Sequence, residues 1–291
     1  MSETADPRYR DLDLWDDRSA LAALWEGQLA AVAAVGPALP AIAGAVGAIA
    51  ARLASGGRLA YAGAGTSIRI AVQDGTELGP TFDWPEARTL YLIAGGEGAL
   101  REAVEGAEDD AGAAEAQVSA AGIGAADVVI GIAASGRTPF TIAALRAARA
   151  AGALTIGIAG TPEAPLLQAA EHAICLPTGP EVIAGSTRMK AGTAQKVALN
   201  LISTQVMVRM GRVHAGQMVD MRPANAKLRT RARGMVMQLA GTDSDRADAA
   251  LAAAGGRIKP AVLIARGLSA EAAMRALADC DDNLRRALEQ L

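Results

Sequence analysis

The chain has 291 residues, enough for one large domain or for an α/β domain with a smaller appendage; 51% of them are hydrophobic but only 3% aromatic. The core must therefore be built from Ala, Val, Leu and Ile, which suits helices packed closely on a parallel sheet. A net charge of −3 without a basic cluster interleaved with aromatics excludes a nucleic-acid surface. Cys175 and Cys280 fit no metal or redox spacing, and with only His172 and His214 present, neither a His-rich metal site nor a Ser-His-Asp triad is expected.

The first seventeen residues are acidic and polar, with no apolar core of signal-peptide length, and no segment has 18 uninterrupted apolar residues. A soluble cytoplasmic protein with no membrane partner is expected. Residues 19–55 read as two helices broken at Gly36-Pro37, with Ser19 capping the first and Gly56-Gly57 closing the second. Both are apolar nearly all round, with Trp15 and Trp25 near the start, so burial against a partner is expected, most simply a second copy in a homodimer.

From 58 to 176 strands and helices alternate. Strands are predicted at 58–62, 89–94, 127–133, 154–159 and 173–176, with helices at 66–75, 97–120, 138–151 and 163–170. This is the pattern of a parallel sheet with right-handed crossovers, whose ligands gather beyond the carboxyl ends of the strands. The first strand runs into Gly63-Ala-Gly65 and a helix opening at Thr66 and Ser67. The unpaired N–H groups of that first turn, with the two hydroxyls, can surround a phosphate. Glu77 follows about three turns later as a possible proton-transfer group. The dinucleotide fingerprint is incomplete, because its third glycine falls on Ile68, and Walker spacing is absent. A second strand ends in Ala94-Gly-Gly-Glu97. The third ends in Ala134-Ser135-Gly136-Arg137-Thr138-Pro139, with Pro139 suited to a first helical turn. Ser135 and Thr138 can take another side of the phosphate held at Thr66 and Ser67, and Arg137 adds a charge.

A long helix is predicted over 187–212, capped by Ser186 or Thr187 and closed by Gly211, with Arg188, Lys190 and Lys196 on a solvated face. Short helices follow at 243–254, 259–266 and 268–290, with Ser269 as a cap; their residues display no chemistry and suit packing or shaping a dimer. The spans are 1–57 for the N-terminal helices, 58–240 for the phosphate-binding domain and 241–291 for a small helical domain.

The GAGTS turn, the strand followed by SGRT, and the run from Gly179 to Lys196, which contains GSTRMKAGTAQK, together resemble the sugar isomerase (SIS) fold. More narrowly they resemble the N-acetylmuramic acid 6-phosphate etherases and the related glucokinase regulatory proteins. The likeness runs from about residue 40 to 230. It implies an α/β fold with a five-stranded parallel SIS-type sheet flanked by helices, N-terminal helices and a small C-terminal helical appendage. It further implies that Gly65, Thr66, Ser67, Ser135, Gly136, Arg137 and Thr138 bind a phosphosugar. Glu77, in Asp74-Gly-Thr-Glu77, matches the family's catalytic acid, and Glu108 its second essential carboxylate, with Asp109 beside it as the other candidate base. Glu181 and Ser186 fall near the sheet's carboxyl edge by the same likeness, and Lys227, within Val219–Lys227, matches a pattern that reaches a ligand.

The chemistry implied is cleavage of a lactyl ether. A ring-opened sugar has a C1 aldehyde that acidifies the C2 proton; a base removes it, an acid protonates the departing lactate oxygen at C3, and water adds to the unsaturated sugar. Two carboxylates suffice without metal or cofactor, each tuned by partial burial. A phosphosugar sensor without catalysis and an aldose–ketose isomerase are the alternatives on the same fold. Two departures flank the site: Ile68 in place of Gly, expected to narrow the space beside the phosphate, and Leu78-Gly79-Pro80 in place of Cys-Pro-Pro.

Overall fold

The computed structural model describes residues 4–291. In chain order the elements are α1 (Asp17–Ala33), α2 (Leu39–Ala54), β1 (Leu59–Gly63), α3 (Gly65–Thr76), α4 (Leu78–Phe82), β2 (Thr89–Ile93), α5 (Ala111–Ala120), β3 (Val128–Ile132), α6 (Pro139–Ala150) and β4 (Leu154–Ala159). They continue with α7 (Pro165–Ala169), β5 (His172–Cys175), α8 (Lys190–Arg209), β6 (Val213–His214), β7 (Gln217–Met218), α9 (Ala226–Ala240), α10 (Ser244–Ala253), α11 (Ile258–Ala265), α12 (Ala270–Ala278) and α13 (Leu284–Leu288). Two compact units result: residues 1–75 with 87–203, and residues 76–86 with 204–291.

The first unit holds a five-stranded, all-parallel sheet in the order β2-β1-β3-β4-β5. Its central strands are short and wholly buried, as expected for strands covered on both faces. On one face Ala60, Ala62, Val129 and Leu92 join Phe140, Ala144, Leu145 and Leu166 of α6 and α7 and Ala114 and Val118 of α5 in one apolar cluster. The other face takes α2, which packs on β3, β4 and β5 through a buried row that includes Ile42, Val46, Ile49 and Leu53. Small residues permit this closeness. A Cβ on Gly131 would sit 2.8 Å from Leu145 Cγ, and one on Gly57 would overlap the Ala126 carbonyl.

Against the expectation that no segment is apolar over 18 residues, residues 17–54 are long and apolar enough, by length and composition, to cross a membrane. They do not form one rod: a 3-10 turn at Gly36–Ala38 divides them, and α2 spends its apolar side on the sheet. In α1 the arrangement is inverted. Ala23, Gly27 and Ala31 face inward, while Leu21, Trp25, Leu29 and Val32 are exposed, Trp25 by 62%.

Several sequence expectations are corrected. Residues 97–110 are not helical; they form two 3-10 turns, Glu97–Leu100 and Ala107–Asp109, because Gly95, Gly96 and Gly106 all take positive φ. The helix begins only after Asp110, whose carboxylate accepts from Ala113 N–H. Asp16, not Ser19, caps α1, accepting from both the amide and the hydroxyl of Ser19. The predicted helix 268–290 is two helices, parted where Asp281 and Asp282 adopt φ of 55° and 56°. Ser269 does cap α12.

The second unit is built on a separate apolar cluster of α9–α13, with Val219 and Met221 packed into it.

Candidate active site

The sheet order places the chain reversal between β1 and β3: the chain leaves β1 toward β2 on one side and resumes at β3 on the other. Such a switch point opens a crevice beyond the strand ends. Gly63 is registered with Ile132, so the loops after β1 and β3, far apart in sequence, emerge side by side. Gly65 opens α3 with φ of 52°, a conformation open to glycine, and its surroundings are otherwise empty. Thr66 is half-buried and Ser67 is buried in the first turn. Ile68 is fully buried and lies against Gly63, so its side chain joins the core behind the turn instead of lining the crevice.

In the second loop Gly136 has φ of 65°, and a Cβ there would come 2.4 Å from Ala164 Cβ and 2.7 Å from Ala159 Cβ. Its carbonyl accepts from Leu166 N–H at 3.0 Å, which pins the turn onto α7. Ser135 is exposed, and its oxygen accepts from Arg137 N–H at 3.2 Å, leaving its own proton free to donate outward. Thr138 stands at the N-cap of α6 without a capping bond from its side chain, and Pro139 opens the helix as expected. Arg137 is exposed.

Glu108 and Asp109 lie in the 3-10 turn of the crossover leaving β2, beside β1 in the sheet. Gly95, at φ 80°, holds that crossover close: a Cβ there would be 2.9 Å from Val104 Cβ and 3.2 Å from Ala107 Cβ. Arg69 of α3 donates to Ala99 O at 2.8 Å, tying the crossover to the helix that starts at the first loop. Both Glu108 and Glu77 are exposed, against the partial burial expected of them. Glu77 stands between α3 and α4 on the segment grouped with the second unit. Lys227 is exposed on the first turn of α9, also in that unit.

The start of α8 differs from its sequence reading. The helix begins at Lys190, and neither Ser186 nor Thr187 caps it. Instead the fully buried Glu181 carboxylate accepts from Lys190 N–H and Ala191 N–H, both at 2.9 Å. Lys190, expected in solvent, is buried and donates from Nζ to Pro180 O at 2.7 Å. The loop carrying half-buried Ser186 is thereby closed on itself. Gly192, in the first turn of α8, brings this end against the first loop: a Cβ there would be 3.5 Å from the Thr66 methyl and 3.4 Å from Ile70. Because Glu181 already occupies the first amides of α8, that helix start is not available to an anion. Neither Glu181's partner amides nor Gly192's neighbour could be read locally; the one signal was a glycine within an otherwise helical, highly specific run.

Below Glu77, Asp74 joins α3 to α8. Burial pushes its carboxyl above the usual range, opposed by bonds from Ser203 hydroxyl (3.1 Å), Asn200 amide (3.5 Å) and Tyr61 hydroxyl (3.3 Å). Tyr61 stacks on Tyr91 at 5.9 Å, and Gly75 is required there, since a Cβ would meet Tyr91 Oη at 2.5 Å.

Comparison with known proteins agrees with this geometry. Residues 41–149 match the model of the glucokinase regulatory protein N-terminal SIS domain, and residues 109–205 that of the SIS domain. Among solved structures, a phosphoheptose isomerase from Francisella tularensis shares the fold at a TM-score of 0.51 and 19% identity, covering 67% of this chain and 100% of its own. The E. coli CFT073 protein c3406, solved in complex with A5P, matches at a TM-score of 0.51 and 18% identity, over 69% of this chain and 97% of its own. An N-acetylmuramic acid 6-phosphate etherase of Deinococcus radiodurans is 51% identical over 99% of this chain and 94% of its own length. That of Cronobacter sakazakii is 47% identical over 99% and 98%, and that of Streptomyces avermitilis 46% over 92% and 87%. With identity of this level running through both units, the chain belongs to the N-acetylmuramic acid 6-phosphate etherase family.

Proposed function

We propose that the protein is a carbon–oxygen lyase that cleaves the D-lactyl ether of N-acetylmuramic acid 6-phosphate, giving N-acetylglucosamine 6-phosphate and D-lactate in amino-sugar recycling. The observation that carries this reading is the pairing of two hydroxyl–glycine loops at the β1/β3 switch, with the Glu108 crossover leaving the neighbouring strand. The first turn of α3, with Thr66 and Ser67, and the turn of Ser135, Gly136, Arg137 and Thr138 receive the 6-phosphate. Ser186 and Lys227 are assigned to the same substrate. Anchored by that group, the opened sugar presents C2 and C3 away from the phosphate.

Glu108 takes the C2 proton, with Asp109 as the alternative base. The electron pair left at C2 forms the C2–C3 double bond as the C3–O bond breaks, and Glu77 gives its proton to the lactate oxygen. Water then adds across the double bond, its oxygen to C3 and a proton to C2, restoring both carboxyl groups. A positioned acid or base of this kind is worth on the order of 10²–10⁴ in rate.

The working form is a homodimer in the cytoplasm. The exposed apolar stripe of Leu21, Trp25, Leu29 and Val32 supports pairing with a second copy, since such contiguous patches mark interaction surfaces. A doubly charged phosphosugar does not cross a bilayer unaided, so enzyme and substrate share a compartment.

Incubation with N-acetylmuramic acid 6-phosphate in deuterated water is the test. Lactate release with solvent deuterium at C2 of the product is expected, and Glu77→Ala and Glu108→Gln should each lose turnover while still binding the phosphosugar. Lactate without label at C2 would refute the elimination route. Binding without any lactate would make the protein a phosphosugar sensor, and full activity in either variant would remove that carboxylate from its role.

A further inference from the structure

Glu77 heads a short segment, and what holds that segment lies in the second unit. We propose that Arg212 is a positioning residue for Glu77, fixing through α4 the direction in which the acid is presented; this rests on Glu77 being the acid of the reaction.

Three features carry the proposal. The first is the weakness of the segment on its own. α4 has five residues, too few to be stable alone, and it ends at Asp83, a non-glycine residue at φ 52°. A left-handed conformation at a non-glycine residue costs free energy and is held in place by its surroundings.

The second is how the segment is over-determined. Arg212 Nη1 donates to the carbonyls of Phe82 and Asp83, the end of α4 and its cap, at the same time. Its guanidinium lies 5.5 Å over the ring of Trp84, which is itself buried. Arg222 pairs with the Asp83 carboxylate from outside. A planar guanidinium donates to these carbonyls from its edge while its face lies over the ring, a combination that the compact ammonium of lysine does not reproduce.

The third is that Arg212 is itself fixed. It follows Gly211, whose φ of 72° ends α8, and a Cβ at Gly211 would meet Asn283 at 3.2 Å. Asp220 lies 3.7 Å from Arg212 and 2.7 Å from Lys259 Nζ. Lys259, almost wholly buried, also donates to the carbonyl and carboxylate of Asp282 at 2.7 and 2.9 Å. These groups line a cavity of about 450 Å³. Its four cations are each already paired with a carboxylate, so the cluster serves as a frame and not as a second anion site. The chain of contacts thus runs from Asp282 through Lys259, Asp220 and Arg212 to the carbonyl end of α4, with Glu77 at the other end of the same short helix.

Arg212→Lys keeps the charge and is the variant expected to fold, as checked by its melting temperature. Its kcat for lactate release should fall about 10-fold, and that of Arg212→Met about 100-fold, as small misplacements of a catalytic group do, with KM held within about twofold. The decisive measurement is the double variant. If Arg212 acts through Glu77, Arg212→Lys should lower the residual rate of Glu77→Gln by less than about twofold. Equal losses in both backgrounds would mean a general structural role and overturn the proposal, as would an unchanged kcat in Arg212→Lys alone. Full activity in Glu77→Gln itself would instead refute the acid assignment beneath it.

Discussion

The phosphate end and the acid end of the proposed site are held in opposite ways. At the β1/β3 crevice the anchoring groups are backbone turns: Gly65 and Gly136 at positive φ, Gly65 in open space and Gly136 close against Ala159 and Ala164, with hydroxyls from Ser67, Ser135 and Thr138. Around α4 the anchoring groups are charged side chains from residues 83, 212, 220, 222, 259 and 282, brought together from the length of the second unit. A phosphate needs a fixed concave surface, which close packing on a sheet supplies. A proton-transfer group needs a defined direction, and on the proposed role of Glu77 a frame of ion pairs supplies it to a helix too short to hold its own.

That contrast can be broken most sharply at Gly136. An added methyl would collide with Ala164 and Ala159 and oppose φ of 65°. Gly136→Ala should therefore cost about 2–4 kcal/mol in denaturant unfolding and raise KM at least tenfold. Gly65→Ala, with open space around it, carries only the φ penalty of about 1–2 kcal/mol. Equal losses for the two would show that crowding is not what shapes the second loop.

A smaller effect is expected at Glu181. In Glu181→Gln one amide of α8 loses its charged acceptor, which should lower stability by about 1–2 kcal/mol, read by chemical denaturation. No change would place the closure of the Ser186 loop elsewhere.

The smallest is a pH effect of opposite sign at Asp127 and Asp220. Burial pushes the Asp127 carboxyl up, but bonds from the Arg58 guanidinium, Arg58 N–H and Gly124 N–H outweigh it and hold it below the usual 3.8. A carboxyl lowered on folding contributes stability above its unfolded value and loses it as pH falls through the folded one. Burial raises Asp220 despite Lys259, so its contribution runs the other way, declining as pH climbs from 3.8 through its raised value. Asp127→Asn should flatten the acid limb of the stability profile below pH 3.8. A profile unchanged in that limb would deny the Arg58 pair its role.

Much of the first unit was legible because its signals are local. Alternating apolar runs and glycine turns mark each strand and its loop within ten residues, and the parallel topology then leaves few ways to arrange them. The five strands accordingly appear within a residue or so of their expected places. Caps that depend on one neighbour, such as Ser269, were readable too; those whose acceptor lies nine residues away, such as Glu181 for α8, were not. The helix expected over 97–120 starts only at Ala111, because Gly95, Gly96 and Gly106 at positive φ turn the chain ahead of it.

The order of residues by itself determined the sheet and the two hydroxyl loops, since each follows from periodicity or from a motif contained in one stretch of chain. Only the tertiary structure decided that the loops at 63–67 and 134–138 are neighbours, that Gly192 sets α8 against Thr66, and that Glu77's segment belongs with the C-terminal helices. Those outcomes depend on which distant surfaces bury best against one another, and contacts between residues 83, 212, 220 and 259 leave no periodic trace in the sequence.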